Sequence, residues 1–219
     1  MHKFIFISIM CCVFHCADSY ATSNPCGELD NAYGPFDYTN PEHFREKLPV
    51  VERFHFTSNV ENLISGQSGK IIGDLNYTLR AFPNHHRALL AVSKYERQQL
   101  QKSRDNKQIY QPEKTTMGWP NTAECYFDRA IRWRPNDPAV RLIHGVHLHL
   151  TGKLQQAIEQ YKIAEKMQPN VADLQYNLGL LYFDMKQYAL AKQHAKKAYQ
   201  LGYPLPGLRK KLASVGQWP

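Results

Sequence analysis

The stretch HGVHLH places His144 and His147 three positions apart, which on a helix is one face, and neighbouring imidazoles are ligands for zinc or copper. No glutamate lies inside the stretch to act as a base, and His85 and His86 show no partner spacing. These histidines therefore read as ordinary helix-surface or core residues, and no metal or other cofactor is expected. The chain contains no glycine-rich phosphate loop, no G-x-S-x-G elbow and no H-E-x-x-H. Without a catalytic motif the expectation is a protein that is not an enzyme.

Cysteine chemistry depends on what happens at the N-terminus. MHKFIFISIMCCVFHCADSYA has a basic start at Lys3, an apolar run of 13 residues from Phe4 to Cys16, and small residues at Ser19 and Ala21. That is the pattern of a secretory signal peptide cleaved near Ala21, because a membrane anchor needs roughly 20 apolar residues. The mature chain is then expected to be periplasmic or secreted, with no transmembrane span. Cleavage removes Cys11, Cys12 and Cys16 and leaves Cys26 and Cys125. Two cysteines in an exported chain suggest one disulfide, the alternative being two free thiols. The bond would clasp the N-terminal segment onto the rest of the chain. The sequon NYT at Asn76 has meaning only in a eukaryotic host.

The elements that would position these residues fall into two zones. With 43% hydrophobic and 21% charged residues in 219, the composition is that of a folded domain rather than a collagen, coiled coil or disordered tail. Residues 22–69 are rich in turn formers interleaved with aromatics, which suits an ordered, loop-rich segment. Asn40 followed by Pro41 predicts a short helix ending before Pro49. Ser58 and Glu61, in capping-box spacing, predict another helix, and VVERFHF between them reads as extended. No second strand is found to pair with it, so no sheet is expected.

From residue 70 the pattern is helical and periodic. Pro135 and Pro169 are 34 residues apart, and Pro204 lies one residue beyond the next step. Aligned on these prolines, Gly145 matches Gly179, Leu148 matches Tyr182, Ala157 matches Ala191 and Ala164 matches Ala198. A glycine inside an apolar helix costs about 1 kcal/mol relative to alanine, and the close approach of a second helix explains why it is kept. This pattern resembles the tetratricopeptide repeat, a helix-turn-helix unit with a small residue in the first helix, small residues in the second and a closing proline. The resemblance implies an all-α fold, a helical-repeat solenoid over 70–219. Its clearest repeats are 138–171 and 172–205, with a degenerate repeat 84–135 in which Ser93 takes the small position. An insertion near 102–119 separates that repeat's helices, the second of which starts on Asn121 and Glu124 in N-cap and N3 spacing. KIIGDLNYTLRAF forms a lone helix ahead of the repeats, and a capping helix over 207–215 ends them. The whole chain is also similar to exported repeat proteins of Gram-negative bacteria, which implies the periplasm.

Tetratricopeptide arrays bind peptides or partner helices along the first helices of their repeats. By that resemblance the groove would be lined by Arg87, Leu90, Lys94, Arg97, Leu142, Val146, His149, Asp173, Tyr176, Asn177, Leu180 and Phe183. Only Asn177 matches the residues that grip a terminal carboxylate in one version of the family, so carboxylate recognition is not expected. A basic and aromatic groove suits a peptide with acidic and apolar side chains, the alternative being that Leu142, Val146, Leu180 and Phe183 pack within the array. The implied function is a non-catalytic adaptor or scaffold of the cell envelope, with a protein or peptide as partner. Charge suggests another surface: from Met185 onward there is no acidic residue, and Lys186, Lys192, Lys196, Lys197, Arg209, Lys210 and Lys211 give +7 of a net +8. Such an end suits an anionic membrane or envelope polymer, or is a solvated face. Export argues against nucleic acid.

Overall fold

A computed structural model describes residues 24–218. The expected signal peptide, 1–21, lies outside the described residues. Among them helix is the regular element throughout, with one isolated bridge between Lys114 and Pro120. The fold is all-α, as the periodicity requires.

The N-terminal segment carries three short helices, α1 (Pro41–Glu46), α2 (Leu48–His55) and α3 (Ser58–Glu61). Asn40 caps α1, its side chain accepting from the backbone N–H of Glu42 and His43. The stretch expected to be extended is α2. Pro49 falls in its first turn, where a missing N–H removes no helical bond, and Leu48 and Val51 share a face that buries against Ala81 and Phe82. The capping box at Ser58 is not formed. Thr57 is the residue before α3, and Glu61 is taken instead by Arg87, whose Nε donates to it at 2.8 Å.

The lone helix is α4 (Ile71–Ala81), followed by α5 (His86–Asp105) and α6 (Ala123–Trp133). Helix α5 runs into the expected insertion, because Gln101, Lys102 and Arg104 are good helix formers and Gln101 donates to Asp105 at 2.7 Å. It ends where Lys107 adopts φ 53° and Gln108 N–H reaches back to the carbonyl of Ser103 at 2.8 Å. The cap of α6 is Thr122, which accepts from Cys125 N–H, and not Asn121. Asn121 is buried and accepts instead from the Tyr126 hydroxyl.

Two regular helix pairs follow, α7 (Pro138–Leu150) with α8 (Leu154–Met167) and α9 (Ala172–Asp184) with α10 (Tyr188–Gln200), and then α11 (Gly207–Ser214). Asp137 caps α7 by accepting from Ala139 and Val140 N–H. A Cβ on Gly145 would run into the ring of Tyr161 on α8, the second helix of the same pair. At Gly179 the nearest neighbour is instead the Leu208 side chain of α11, with the α10 backbone next at 3.3 Å from the Ala191 carbonyl oxygen. The space left by one glycine is used by its own repeat, and that left by the other is shared with the terminal helix.

The apolar interior has two main parts. One joins Phe56 and Val60 to α4, α5 and α6 and ends at Val140 and Ile143; the other runs from Leu148 through α8, α9 and α10 to Leu208 and Leu212. The N-terminal segment is fastened across the first. Cys26 and Cys125 are bonded with Cα atoms 5.0 Å apart, across 99 positions of sequence. Arg129, fully buried, lies over the Trp119 ring and donates to the carbonyls of Cys26 and Glu28, and Arg132 donates to that of Gly27 at 2.8 Å. Further along, Asn84 donates to both Asp37 and Asp137, and Arg134 pairs with Asp37 at 2.7 Å. Asn76 is buried and donates to Tyr126, so its sequon is not presented at the surface.

Candidate functional site

Helices α5, α7, α9 and α11 touch one another in that order. Aligned in sequence on Ser93, Gly145 and Gly179, the residues expected in the groove give three rows stepping from α5 to α7 to α9: Leu90, Leu142 and Tyr176; Lys94, Val146 and Leu180; Arg97, His149 and Phe183.

Exposure divides these residues. Leu90 is 47% exposed and Lys94 is exposed, while Leu142, Val146, Leu180 and Phe183 are half-buried against the second apolar cluster. Leu142 also opens onto a cleft of about 70 Å³ that it shares with Val171 and Leu174. Arg97 is half-buried, its Nε has no hydrogen-bond partner among the described residues, and burial lowers its pKa.

Other residues expected in the groove have internal duties. Arg87 is held by Glu61 and Glu52 and lies over the Phe56 ring, so it braces α3 and α2 against α5. His149 meets Asp184 at 2.9 Å, tying α7 to the end of α9. Asn177 donates to the carbonyl of Asp173, one turn back, at 2.8 Å. Tyr176 is buried: its hydroxyl accepts from Leu208 N–H at 3.1 Å, and its ring stacks on Tyr203 with centroids 3.9 Å apart. It seats α11 rather than facing an open groove, because the chain folds back over it after α10. Lys211 from α11 reaches Asp184 at 3.4 Å and lies over the Phe183 ring.

The basic end is likewise divided. Arg209 lies over the rings of Tyr199, at 4.6 Å, and Trp218, at 5.5 Å. With Lys211 also engaged, Lys192, Lys196, Lys197 and Lys210 remain without an ion pair among the described residues, and Lys196 and Lys210 are the exposed ones.

One cluster escapes a reading of the sequence. Between α5, α6 and α7, His144 meets Glu124 at 2.9 Å, Lys153 binds the same carboxylate, and the buried His147 meets Ser93 at 3.0 Å. Burial would raise the Glu124 pKa, but the bonds from His144 and Lys153 outweigh it and hold it at about 2. Among the described residues no group of three or more His, Cys, Asp or Glu is placed to hold a metal ion. The two histidines three apart both approach Glu124, His144 at 2.9 Å and His147 at 3.9 Å, while His147 Nδ1 meets Ser93 on α5. No described helix is long and apolar enough to cross a membrane.

The layered helix pairs define a helical-repeat protein. Family models for "TPR repeat" match residues 145–186 and for "Tetratricopeptide repeat" residues 172–201, so residues 145–201 carry tetratricopeptide repeats. Repeats of this kind are generally non-catalytic scaffolds. A curated human protein, "Protein O-mannosyl-transferase TMTC2", is 41% identical over 68 residues, which is 31% of this chain and 8% of that protein's length. The chain thus spans under a tenth of that relative. Similar solved structures include a thermophilic TPR protein of Thermus thermophilus, 20% identical over 67% of this chain and 74% of its own, with a TM-score of 0.45. MamA MSR-1 is 20% identical over 69% and 72%, with a TM-score of 0.43. YrrB, described as a TPR protein with an unusual peptide-binding site, is 17% identical over 80% and 94%, with a TM-score of 0.36.

Proposed function

We propose that this chain is an exported, non-catalytic adaptor of the cell envelope that holds an extended peptide, or a segment of a partner protein, along the layer formed by α5, α7 and α9. The observation that carries this reading is the set of three rows on that layer. They grade from accessible on α5 (Leu90 and Lys94, with the half-buried Arg97 beside them) to apolar and half-buried on α7 and α9 (Leu142, Val146, Leu180, Phe183). A peptide matching them carries acidic residues near α5 and apolar ones toward α9. The Cys26–Cys125 bond supports export, since such bonds persist in oxidising compartments.

The test is selection from a displayed peptide library by the intact chain and by a Leu90→Glu, Lys94→Glu variant, both sites being exposed. The reading expects acidic-apolar peptides enriched by the native chain alone. Equal enrichment by both baits would place binding elsewhere.

A second reading rests on Lys192, Lys196, Lys197 and Lys210, which have no ion pair among the described residues and suit an anionic membrane or envelope polymer. It expects binding to anionic vesicles that falls steeply with salt and is lost when these four lysines are changed to glutamine.

A further inference from the structure

Between α6 and the end of α5 the chain makes a loop, residues 106–122, that the repeat pattern does not require. Loops longer than about 12–15 residues inside a compact domain are usually functional or disordered, and this one is built. Thr115 N–H donates to the Trp119 carbonyl and Asn121 N–H to the Glu113 carbonyl, both at 2.8 Å, and the Trp119 side chain is buried. The loop and α5 together line an open cleft of about 360 Å³, within the roughly 300–1,000 Å³ of small-molecule sites.

We propose that this cleft binds a neutral, hydroxyl-rich ligand of the saccharide class, at a site separate from the peptide-binding layer. The reason is the chemistry of its walls. Tyr95 and Gln99 face it from α5, and Gln108, Tyr110 and Gln111 from the loop. Three carboxamides and two phenols thus supply donors and acceptors side by side, and none of these five side chains makes a hydrogen bond among the described residues.

The cleft walls are mainly polar, with Ser103 and Asn121 beside the amides and phenols, and only Ile72 and Ile109 adding apolar surface. The one carboxylate in the cleft, Glu113, is already paired with Lys70 at 2.7 Å, so a charged ligand finds no free counter-charge there. An apolar ligand would strand the amides and phenols without partners, at about 1–3 kcal/mol for each group left buried and unpaired. A sugar ring meets both requirements, since its hydroxyls donate and accept together and its carbon face packs on an aromatic ring. The Tyr110 hydroxyl is protonated at neutral pH as any phenol is, and burial moves its pKa further up, to about 12.

The test is titration of the full chain, disulfide intact, with three neutral oligosaccharides (maltotriose, cellotriose and tri-N-acetylchitotriose) and with tetraglycine as a peptide control, followed by calorimetry and amide NMR. The expected result is that one sugar saturates with a Kd at or below the millimolar range. Its shifts should centre on Tyr95, Gln99 and Tyr110 and persist at high salt. Gln99→Ala and Tyr110→Ala should each weaken binding about tenfold or more. Tyr110→Phe keeps the ring and should weaken it less, which separates lost recognition from a collapsed loop. The Leu90→Glu, Lys94→Glu variant should bind the sugar as the native chain does, so the two sites stand or fall separately. Saturation by none of the three sugars, by tetraglycine instead, or equally in the cleft variants would overturn the proposal.

Discussion

Ser93 on α5 and His147 on α7 meet at 3.0 Å, Oγ to Nδ1, with both side chains buried. The bond joins the degenerate repeat to the first regular one. Its surroundings make it a titrating joint: Glu96 from α5 and Glu124 from α6 each stand 3.9 Å from His147 Nε2, and His144, Lys153 and Arg97 add positive charge nearby. Burial, offset only in part by Glu124, pushes the His147 pKa down to about 4. A histidine whose folded pKa is depressed takes up protons in the unfolded chain first, so stability is lost as pH falls from about 6.5 to about 4. The linked change is about 3 kcal/mol at most. Chemical unfolding at pH 7 and pH 4.5 should show the loss, and His147→Gln should reduce the slope. An unchanged slope in the variant would assign the effect to other groups.

Gly145→Ala and Gly179→Ala should differ. At Gly145 the new methyl meets the ring of Tyr161, which is fully buried and has nowhere to go, so a cost of about 1–3 kcal/mol outweighs the gain in helix propensity. At Gly179 the first obstacle is the tip of the Leu208 side chain, also buried but a branched aliphatic end rather than a ring, and the α10 backbone lies at 3.3 and 3.4 Å. Urea unfolding should rank Gly145→Ala as the more damaging. The reverse order would mean that the seating of α11 matters more than the pairing of α7 with α8.

Removing the bond between Cys26 and Cys125 by a double change to serine should cost about 2–5 kcal/mol, since it closes a 99-residue span. Arg129 and Arg132 would still hold the carbonyls of residues 26–28, so the N-terminal segment should loosen rather than detach. Mass measurement after alkylation of native protein should find no free thiol at these positions. Two alkylated thiols in folded protein would contradict the structure.

Tyr176→Phe removes the hydroxyl that accepts from Leu208 N–H while leaving the ring on Tyr203. It should cost about 1 kcal/mol and raise amide exchange in α11 without weakening peptide capture. Loss of capture with α11 still protected would return Tyr176 to the binding surface.

The repeats were legible because packing leaves a periodic trace. The pairs Gly145 with Gly179 and Pro135 with Pro169 recur at a step of 34, and α7 to α10 follow that step. Local signals failed where a distant partner decided the outcome. Pro49 and two valines suggested an extended stretch, but Leu48 and Val51 form a helical face once Ala81 and Phe82 are there to cover it. The α3 and α6 caps moved because Glu61 is drawn to Arg87 and Glu124 to His144 and Lys153. The role of Tyr176 was hidden for a related reason: nothing in its neighbourhood of sequence says that Leu208 returns to it. The cleft beneath residues 106–122 joins side chains from α5 to a loop, and no spacing rule connects them.

Binding of partners on the layer of α5, α7 and α9 is the proposal on which the rest depends. Its most direct test is an anisotropy titration of a labelled acidic-apolar peptide, taken from the library selection, against the native chain and the Leu90→Glu, Lys94→Glu variant. The two proteins should give the same helical circular dichroism. The account predicts saturable binding by the native chain and at least a tenfold loss in the variant, about 1.4 kcal/mol or more. Equal affinity for both would contradict it.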